Sequence, residues 1–190
     1  QPMNDFAEAL GAASQMLPNP NILIHTLPIL EAQASSEIEN IVTTADELFK
    51  HAQIGGGDHV TKEALRYRTA LFAGLVELRE RPITAQTAVQ ICTAPMIEDA
   101  RAGVARNADR QSDDREIVYS PPEGRDVILD KLADWERFIH RHDDLDPLVR
   151  MALAHYQFEA IHPFPDGNGR TGRVLNILLL TEAGLLDQPI

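Results

Sequence analysis

Apolar positions recur at helical spacing along most of this chain, which predicts a protein built from amphipathic α-helices. The clearest example is TKEALRYRTALFAGLVELRE at residues 61–80, where leucine and alanine side chains fall on one helix face. Residues 17–29 carry three prolines and are predicted to be an extended lead-in. The same analysis predicts further helices at residues 30–41 (with a break near Ser35), 44–51, 84–94, 126–140, 147–161 and 171–183.

Capping signals support several of these boundaries. Thr44 and Glu47 have the spacing of a capping box, in which each side chain accepts a hydrogen bond from the backbone N–H of the other residue. Thr84 is placed to cap the next helix, and Asp146 precedes a proline at the first helical position. These residues predict where three of the helices begin.

A different pattern separates the fourth and fifth predicted helices. Residues 103–116 are polar and rich in Asp and Arg, which predicts an exposed loop or a hairpin tip. Ile117, Val118 and Tyr119 then form a short β-prone run that two prolines end. The expected architecture is therefore all-α with one hairpin.

Charge and composition narrow the partners and the compartment. The formal net charge of -12 argues against nucleic-acid binding by this segment, because such binding depends on Lys and Arg contacts to phosphates. The single cysteine, Cys92, cannot form an internal disulfide, and no apolar run reaches the length of a membrane span. The first residues lack a secretory signal. We therefore expect a cytoplasmic protein whose partners are proteins and small molecules, without membrane contact.

The segment that carries chemistry is HPFPDGNGRTGR, from His162 to Arg173. Its three glycines spell G-x-G-x-x-G, but a dinucleotide-binding loop needs a β-strand before it, and the preceding residues have a helical period. A Walker phosphate loop is excluded as well, because no Gly-Lys-Ser/Thr follows. The segment is therefore predicted to form a helix, a glycine turn and a second helix.

Such a turn can bind a polyphosphate. Gly167, Asn168 and Gly169 can direct backbone N–H groups into one concavity, and the N-terminus of the next helix adds partial positive charge. Arg170 and Arg173 are three residues apart on that helix, so their guanidinium groups share a face. Both can then form bidentate contacts with phosphate oxygens.

Three further side chains would complete this chemistry. Asp166 is placed to hold Mg²⁺ against the same phosphates, since Mg²⁺ prefers few carboxylates together with phosphate oxygens and water. Histidine is the side chain that most often acts as a general base, so His162 can take a proton from an attacking hydroxyl. Asn176, about two turns past Gly169, is predicted to face the nucleotide unless it forms an interhelical hydrogen bond.

These residues match the Fic motif, H-x-F-x-[DE]-G-N-G-R-x-x-R, at every defined position. The chain resembles Fic-domain adenylyltransferases over residues 17–190, and its IVYSPP segment resembles the end of the family's flap hairpin. The resemblance implies an all-α, Fic-type helical bundle with a short β-hairpin flap. In that flap Ile117, Val118 and Tyr119 would dock the target by strand addition.

The resemblance also implies a division of roles. His162 would deprotonate a Ser, Thr or Tyr hydroxyl, which would attack the α-phosphorus of ATP and release pyrophosphate. Asp166 would bind Mg²⁺, and Arg173 would bind the γ-phosphate. The residues that would hold the α- and β-phosphates are Gly167, Asn168, Gly169 and Arg170.

A second family motif concerns regulation. Ser35, Glu39 and Asn40 fit the inhibitory pattern [ST]-x-x-x-E-[GN]. In Fic proteins with this helix before the core, the glutamate pairs with the second motif arginine, which implies a Glu39–Arg173 pair here. The carboxylate would compete with the γ-phosphate for the guanidinium. The alternative is that Glu39 is a solvated helix carboxylate.

The same resemblance divides the chain into two parts. Residues 1–60 form an N-terminal region with the inhibitory helix, and residues 61–190 form the Fic core. Family members continue into further helices that help to enclose the adenine, so the core is expected to be truncated at Ile190.

The sequence therefore predicts an autoinhibited protein adenylyltransferase that uses Mg²⁺ and ATP to modify a protein target and itself. Two alternatives stay open. One is a non-catalytic regulatory module that binds nucleotide, and the other is the same fold transferring another phosphate-linked group, such as UMP, or removing AMP. Inhibition within one chain and inhibition across a homodimer are both compatible with the motifs.

Overall fold

Seven α-helices account for most of the chain that the computed structural model describes, which is residues 20–38, 42–54, 59–93 and 119–186. We number them α1 Pro20–Ile38, α2 Ala45–Ile54, α3 His59–Leu78, α4 Ala85–Thr93, α5 Arg125–Ile139, α6 Pro147–Ile161 and α7 Asn168–Glu182. The described ranges contain no β-strand, which confirms the helical fold class. Of the predicted hairpin, Ile117 and Val118 lie outside these ranges, and Tyr119 is in a loop. None of the described helices has the length and apolar run of a membrane span.

The first helix corrects two sequence predictions. Residues 17–29 were expected to be extended, but α1 begins at Pro20 and continues through Pro28 and past Ser35 without a break. Pro20 occupies the first helical position, where no backbone N–H is needed. Pro28 costs the helix about 3 kcal/mol. Burial of the apolar face of α1 against α3 offsets that cost, since Ala32 lies in the main core.

Three of the later helices begin at the caps predicted for them. The Oγ1 atom of Thr44 accepts the backbone N–H of Glu47 at 3.3 Å. Thr84 and Thr87 each accept the backbone N–H of the other through their side-chain oxygens, at 3.3 and 3.0 Å. Asp146 accepts two amides of the first turn of α6. The predicted caps at Thr84 and Asp146 are confirmed. Of the predicted capping box the Thr44 half is formed, while the Glu47 carboxylate accepts the Thr43 hydroxyl at 3.4 Å.

A chain of aromatic contacts joins the core to the loop between α6 and α7. Trp135 of α5 is fully buried, and its Nε1 donates to the Ala154 carbonyl of α6 at 3.0 Å. The ring centroids of Trp135 and Phe158 are 5.8 Å apart. Those of Phe158 and Phe164, which lies in the loop, are 6.2 Å apart. The central helix α7 packs against α6, α3 and α4. The loop is therefore attached to the core through the contact between Phe164 and Phe158.

Candidate active site

Two left-handed residues shape the turn that joins α6 to α7. Helix α6 ends at Ile161, and His162 follows with φ 49° and ψ 59°, its N–H donating to the Phe158 carbonyl at 3.0 Å. Gly167 precedes α7 with φ 78°. A left-handed conformation is uncommon for a residue with a side chain, so His162 is held there by its surroundings. The helix, glycine turn and helix predicted from the sequence are present.

The side chain of Asn168 closes this turn from inside. It is buried, and its Oδ1 accepts the Phe164 N–H at 2.9 Å while its Nδ2 donates to the Phe164 carbonyl at 2.6 Å. Both polar groups of the Asn168 side chain are thus used within the loop. Neither of these two bonds uses the backbone N–H of Asn168.

Removing these two hydrogen bonds is expected to destabilise the protein. In Asn168→Ala the buried N–H and carbonyl of Phe164 lose their partners, which we expect to lower the free energy of unfolding by about 2–3 kcal/mol. Asn176→Ala on the same helix is the matched control, with an expected change below about 1 kcal/mol. Urea unfolding measures both values, and equal losses would contradict the role given to Asn168.

The first turn of α7 has the features of an anion site. Its cap residue is Gly167, and no side chain caps the helix. The first amides of a helix have no acceptor within the helix, so the N–H groups of Asn168 and Gly169 are directed out of the helix end. The helix dipole adds partial positive charge at the same place.

Asp166 and Arg170 lie together at the edge of this turn. The Asp166 Oδ1 accepts the Gly167 N–H at 2.8 Å, and Oδ2 lies 3.4 Å from Nη2 of Arg170. The Asp166 side chain is 83% exposed, whereas that of Arg170 is 11% exposed. An exposed carboxylate beside an anion site fits Mg²⁺, which combines one or two carboxylates with phosphate oxygens and water. The residues present therefore fit the predicted metal.

Arg173 reaches a different partner from Arg170. Its Nε donates to the Ser35 Oγ at 2.6 Å, and its Nη2 donates to the Ser35 carbonyl at 3.0 Å. The Ser35 carbonyl lies near the C-terminal end of α1, where the helix dipole attracts a cation. The structure thus joins one residue of each family motif. Glu39 and Asn40 lie outside the described residues.

Two residues near the contact between Arg173 and Ser35 were not predicted from the sequence. Tyr67 of α3 is buried, and its hydroxyl donates to Oε1 of Glu31 at 3.4 Å. Burial and the Glu31 carboxylate raise the pKa of Tyr67 above its usual value, and the nearby Arg173 charge opposes that shift. Glu31 precedes Ser35 by one helical turn, so an α1 helix recognised in full would have placed both on one face.

Cys92 also contacts the turn. Its Sγ lies 3.7 Å from the Asp166 carbonyl. Burial raises the pKa of the Cys92 thiol, while a hydrogen bond from Thr171 and the Arg170 charge act in the opposite direction. The partly buried thiol therefore packs against the loop.

The third glycine of the motif has a packing role. A Cβ at Gly172 would lie 2.6 Å from Oε1 of Glu159 and 3.1 Å from the His155 ring. Glycine therefore allows α6 and α7 to approach closely around these polar side chains. One turn further along α7, the Oδ1 of Asn176 is buried and has no hydrogen-bond partner among the described residues.

Tyr119 contacts the C-terminal end of α6. Its hydroxyl donates to the Ala160 carbonyl at 2.9 Å, two residues before His162. Of the three predicted flap residues it is the one within the described ranges, and its hydroxyl is bound to the helix that leads into the motif.

Parts of this chain are similar in sequence to known proteins. Residues 7–76 match the Fic/DOC family N-terminal model. Protein adenylyltransferase fic-1 of Caenorhabditis briggsae is 38% identical over 65 residues, which are 33% of this chain and 13% of that protein. A probable protein adenylyltransferase of Aquifex aeolicus is 39% identical over 71 residues, which are 36% of this chain and 21% of that protein. The matched regions are thus a small part of these relatives.

Solved structures show the same fold. Fic-1 of Caenorhabditis elegans superposes with a TM-score of 0.73 at 18% identity, over 96% of this chain and 56% of that one. A Fic-domain signalling protein of Bacteroides thetaiotaomicron gives 0.74 at 21% identity, over 96% and 74%. The Fic/DOC family model itself matches residues 82–180, which include the whole motif. Because that match spans more than half of the sequence, this chain belongs to the Fic/DOC family.

Proposed function

We propose that this chain is an autoinhibited protein adenylyltransferase, which transfers AMP from ATP to a Ser, Thr or Tyr hydroxyl of a protein target and of itself. The observation that carries the proposal is the first turn of α7, which no side chain caps and which directly follows the short loop that carries His162 and Asp166. The names of the relatives support the same activity.

Binding of the phosphates would use backbone N–H groups and side chains together. The N–H groups of Asn168 and Gly169, together with the Arg170 guanidinium, would contact the α- and β-phosphates. Asp166 would hold Mg²⁺, which when bound neutralises phosphate charge. We assign the γ-phosphate to Arg173 and place Asn176 near the nucleotide, with its buried Oδ1 available to a donor.

The chemical step then requires one proton acceptor. His162 takes the proton from the attacking hydroxyl, whose oxygen forms a bond to the α-phosphorus while the bond to the β-phosphate oxygen breaks. Pyrophosphate leaves and AMP stays on the target. Because most of the barrier is lowered by positioning and by charge neutralisation, a rigid loop is more valuable here than a flexible one.

Labelled ATP tests this function directly. The protein is incubated with Mg²⁺ and ATP labelled at the α- or the γ-phosphate, and label retained on protein is measured. Retention from the α-position alone supports AMP transfer. Retention from the γ-position contradicts it, and retention from neither, although ATP binds, supports a regulatory binding module. A parallel reaction with UTP tests transfer of UMP.

Autoinhibition would act through the partner of Arg173. In this structure Ser35 already binds that guanidinium through its side chain and its carbonyl. Glu39 follows Ser35 by four residues, about one helical turn, so a continued helix would bring its carboxylate to the same side. A carboxylate there would compete with the γ-phosphate, and ATP would bind with its α-phosphate out of line for attack.

Glu39→Gly is therefore expected to raise the rate of self-modification about tenfold. A change of that size lies within the range that typical coupling free energies between two sites produce. Glu37→Gly is the matched control, since Glu37 is exposed at the same helix end and accepts a hydrogen bond only from Gln33 among the contacts described. Incorporation of α-labelled AMP measures the rates. Equal rates for Glu39→Gly and the unmodified sequence, or an equal rise in the Glu37→Gly control, would contradict inhibition by Glu39.

A further inference from the structure

The C-terminal end of α6 needs hydrogen-bond donors from outside the helix. The last four carbonyls of a helix have no intrahelical donor. His162 donates its N–H to the Phe158 carbonyl at 3.0 Å. The N–H that would ordinarily serve Ala160 is that of Phe164, and it donates to Asn168 instead. The Ala160 carbonyl is served by the hydroxyl of Tyr119 at 2.9 Å.

Burial does not explain why Tyr119 is at this position. Its side chain is 59% exposed, so it contributes little to the core, and the contact that fixes it to α6 is the hydroxyl bond. The bond joins segments that are 41 residues apart in sequence. An exposed tyrosine that donates across this separation to the last helical turn before His162 is placed to control the geometry of that turn.

We propose that Tyr119 is a positioning residue for His162, an inference that rests on the proposed function of His162 as the base. The Ala160 carbonyl belongs to the peptide plane that precedes Ile161, and its direction sets where the chain leaves the helix. His162 has a left-handed backbone there, which is costly for a residue with a Cβ and persists only if its neighbours fix it. The hydroxyl of Tyr119 supplies one of these constraints.

Tyr119→Phe removes the hydroxyl and keeps the ring. Tyr156→Phe is the matched control, because Tyr156 is also on the surface, 74% exposed, and lies on α6 itself. We expect Tyr119→Phe to lower kcat for AMP transfer about three- to tenfold, the value of one hydrogen bond, with KM for ATP unchanged. Tyr156→Phe should leave both constants unchanged. A rise in KM with unchanged kcat, or identical kinetics in all three proteins, would overturn the proposal.

A second measurement does not depend on turnover. The NMR signal of the His162 imidazole, assigned with His162→Asn, should shift in Tyr119→Phe and stay in place in Tyr156→Phe. An unshifted signal in Tyr119→Phe would overturn the positioning role. If no protein transferred AMP, the proposed function would fail, and the imidazole signal would still decide whether Tyr119 positions His162.

Discussion

Replacing His162 with alanine should lower AMP transfer at least about a hundredfold while leaving ATP bound, because a general base contributes about 10²–10⁴ to the rate. The proposed anion site is the first turn of α7, which begins at Asn168, whereas His162 precedes that helix by six residues. Nucleotide affinity and catalysis should therefore separate in this variant. The measurements are incorporation of α-labelled AMP and equilibrium binding of ATP.

The controls for this variant address the unusual backbone. His162 has φ 49°, a conformation that alanine adopts poorly and asparagine adopts well. His162→Asn should therefore lose activity to the same extent as His162→Ala with less effect on folding. His142→Ala removes an exposed histidine before α6 and should have full activity. A His162→Asn protein that transfers AMP at the original rate would exclude His162 as the base.

Trp135→Ala should cause the largest loss of stability, about 3–5 kcal/mol in the free energy of unfolding. Trp135 is fully buried between α5 and α6, where it contacts Phe158 and donates to the Ala154 carbonyl. Alanine would leave a cavity and an unpaired carbonyl. Urea or thermal unfolding followed by circular dichroism measures the change.

A graded series separates packing from hydrogen bonding at this position. Trp135→Phe keeps an aromatic ring against Phe158 but removes the indole N–H, and we expect it to cost about 1–2 kcal/mol. Val149→Ala, at a half-exposed position on α6, should cost less than about 1 kcal/mol. A Trp135→Ala protein within about 1 kcal/mol of the original stability would show that Trp135 does not join α5 to α6.

The parts of the fold that local signals determine were predicted well. Asp146 with its following proline gave the start of α6, and the glycines of the motif gave the turn before α7. Both depend on residues that are close together in sequence. The start of α1 was wrong for the opposite reason, since its prolines argued against a helix that packing on α3 stabilises.

The parts of the site that were missed depend on contacts between distant residues. The Cys92 thiol approaches Asp166 across 74 positions, and Tyr67 reaches Glu31 across 36. The spacing of these residues in the sequence does not predict such pairs, because only the folded core brings them together. The role of the Asn168 side chain was not predicted either. The motif indicated that Asn168 binds phosphate, and the structure shows that its side chain forms hydrogen bonds within the loop.

The central claim is that the first turn of α7 holds a polyphosphate beside His162. Its most direct test is an NMR titration of the protein with Mg²⁺ and a non-hydrolysable ATP analogue. We predict that the amide signals of Asn168 and Gly169 shift together with the His162 imidazole signal as the analogue binds. Saturable binding that leaves these three signals in place would contradict the account.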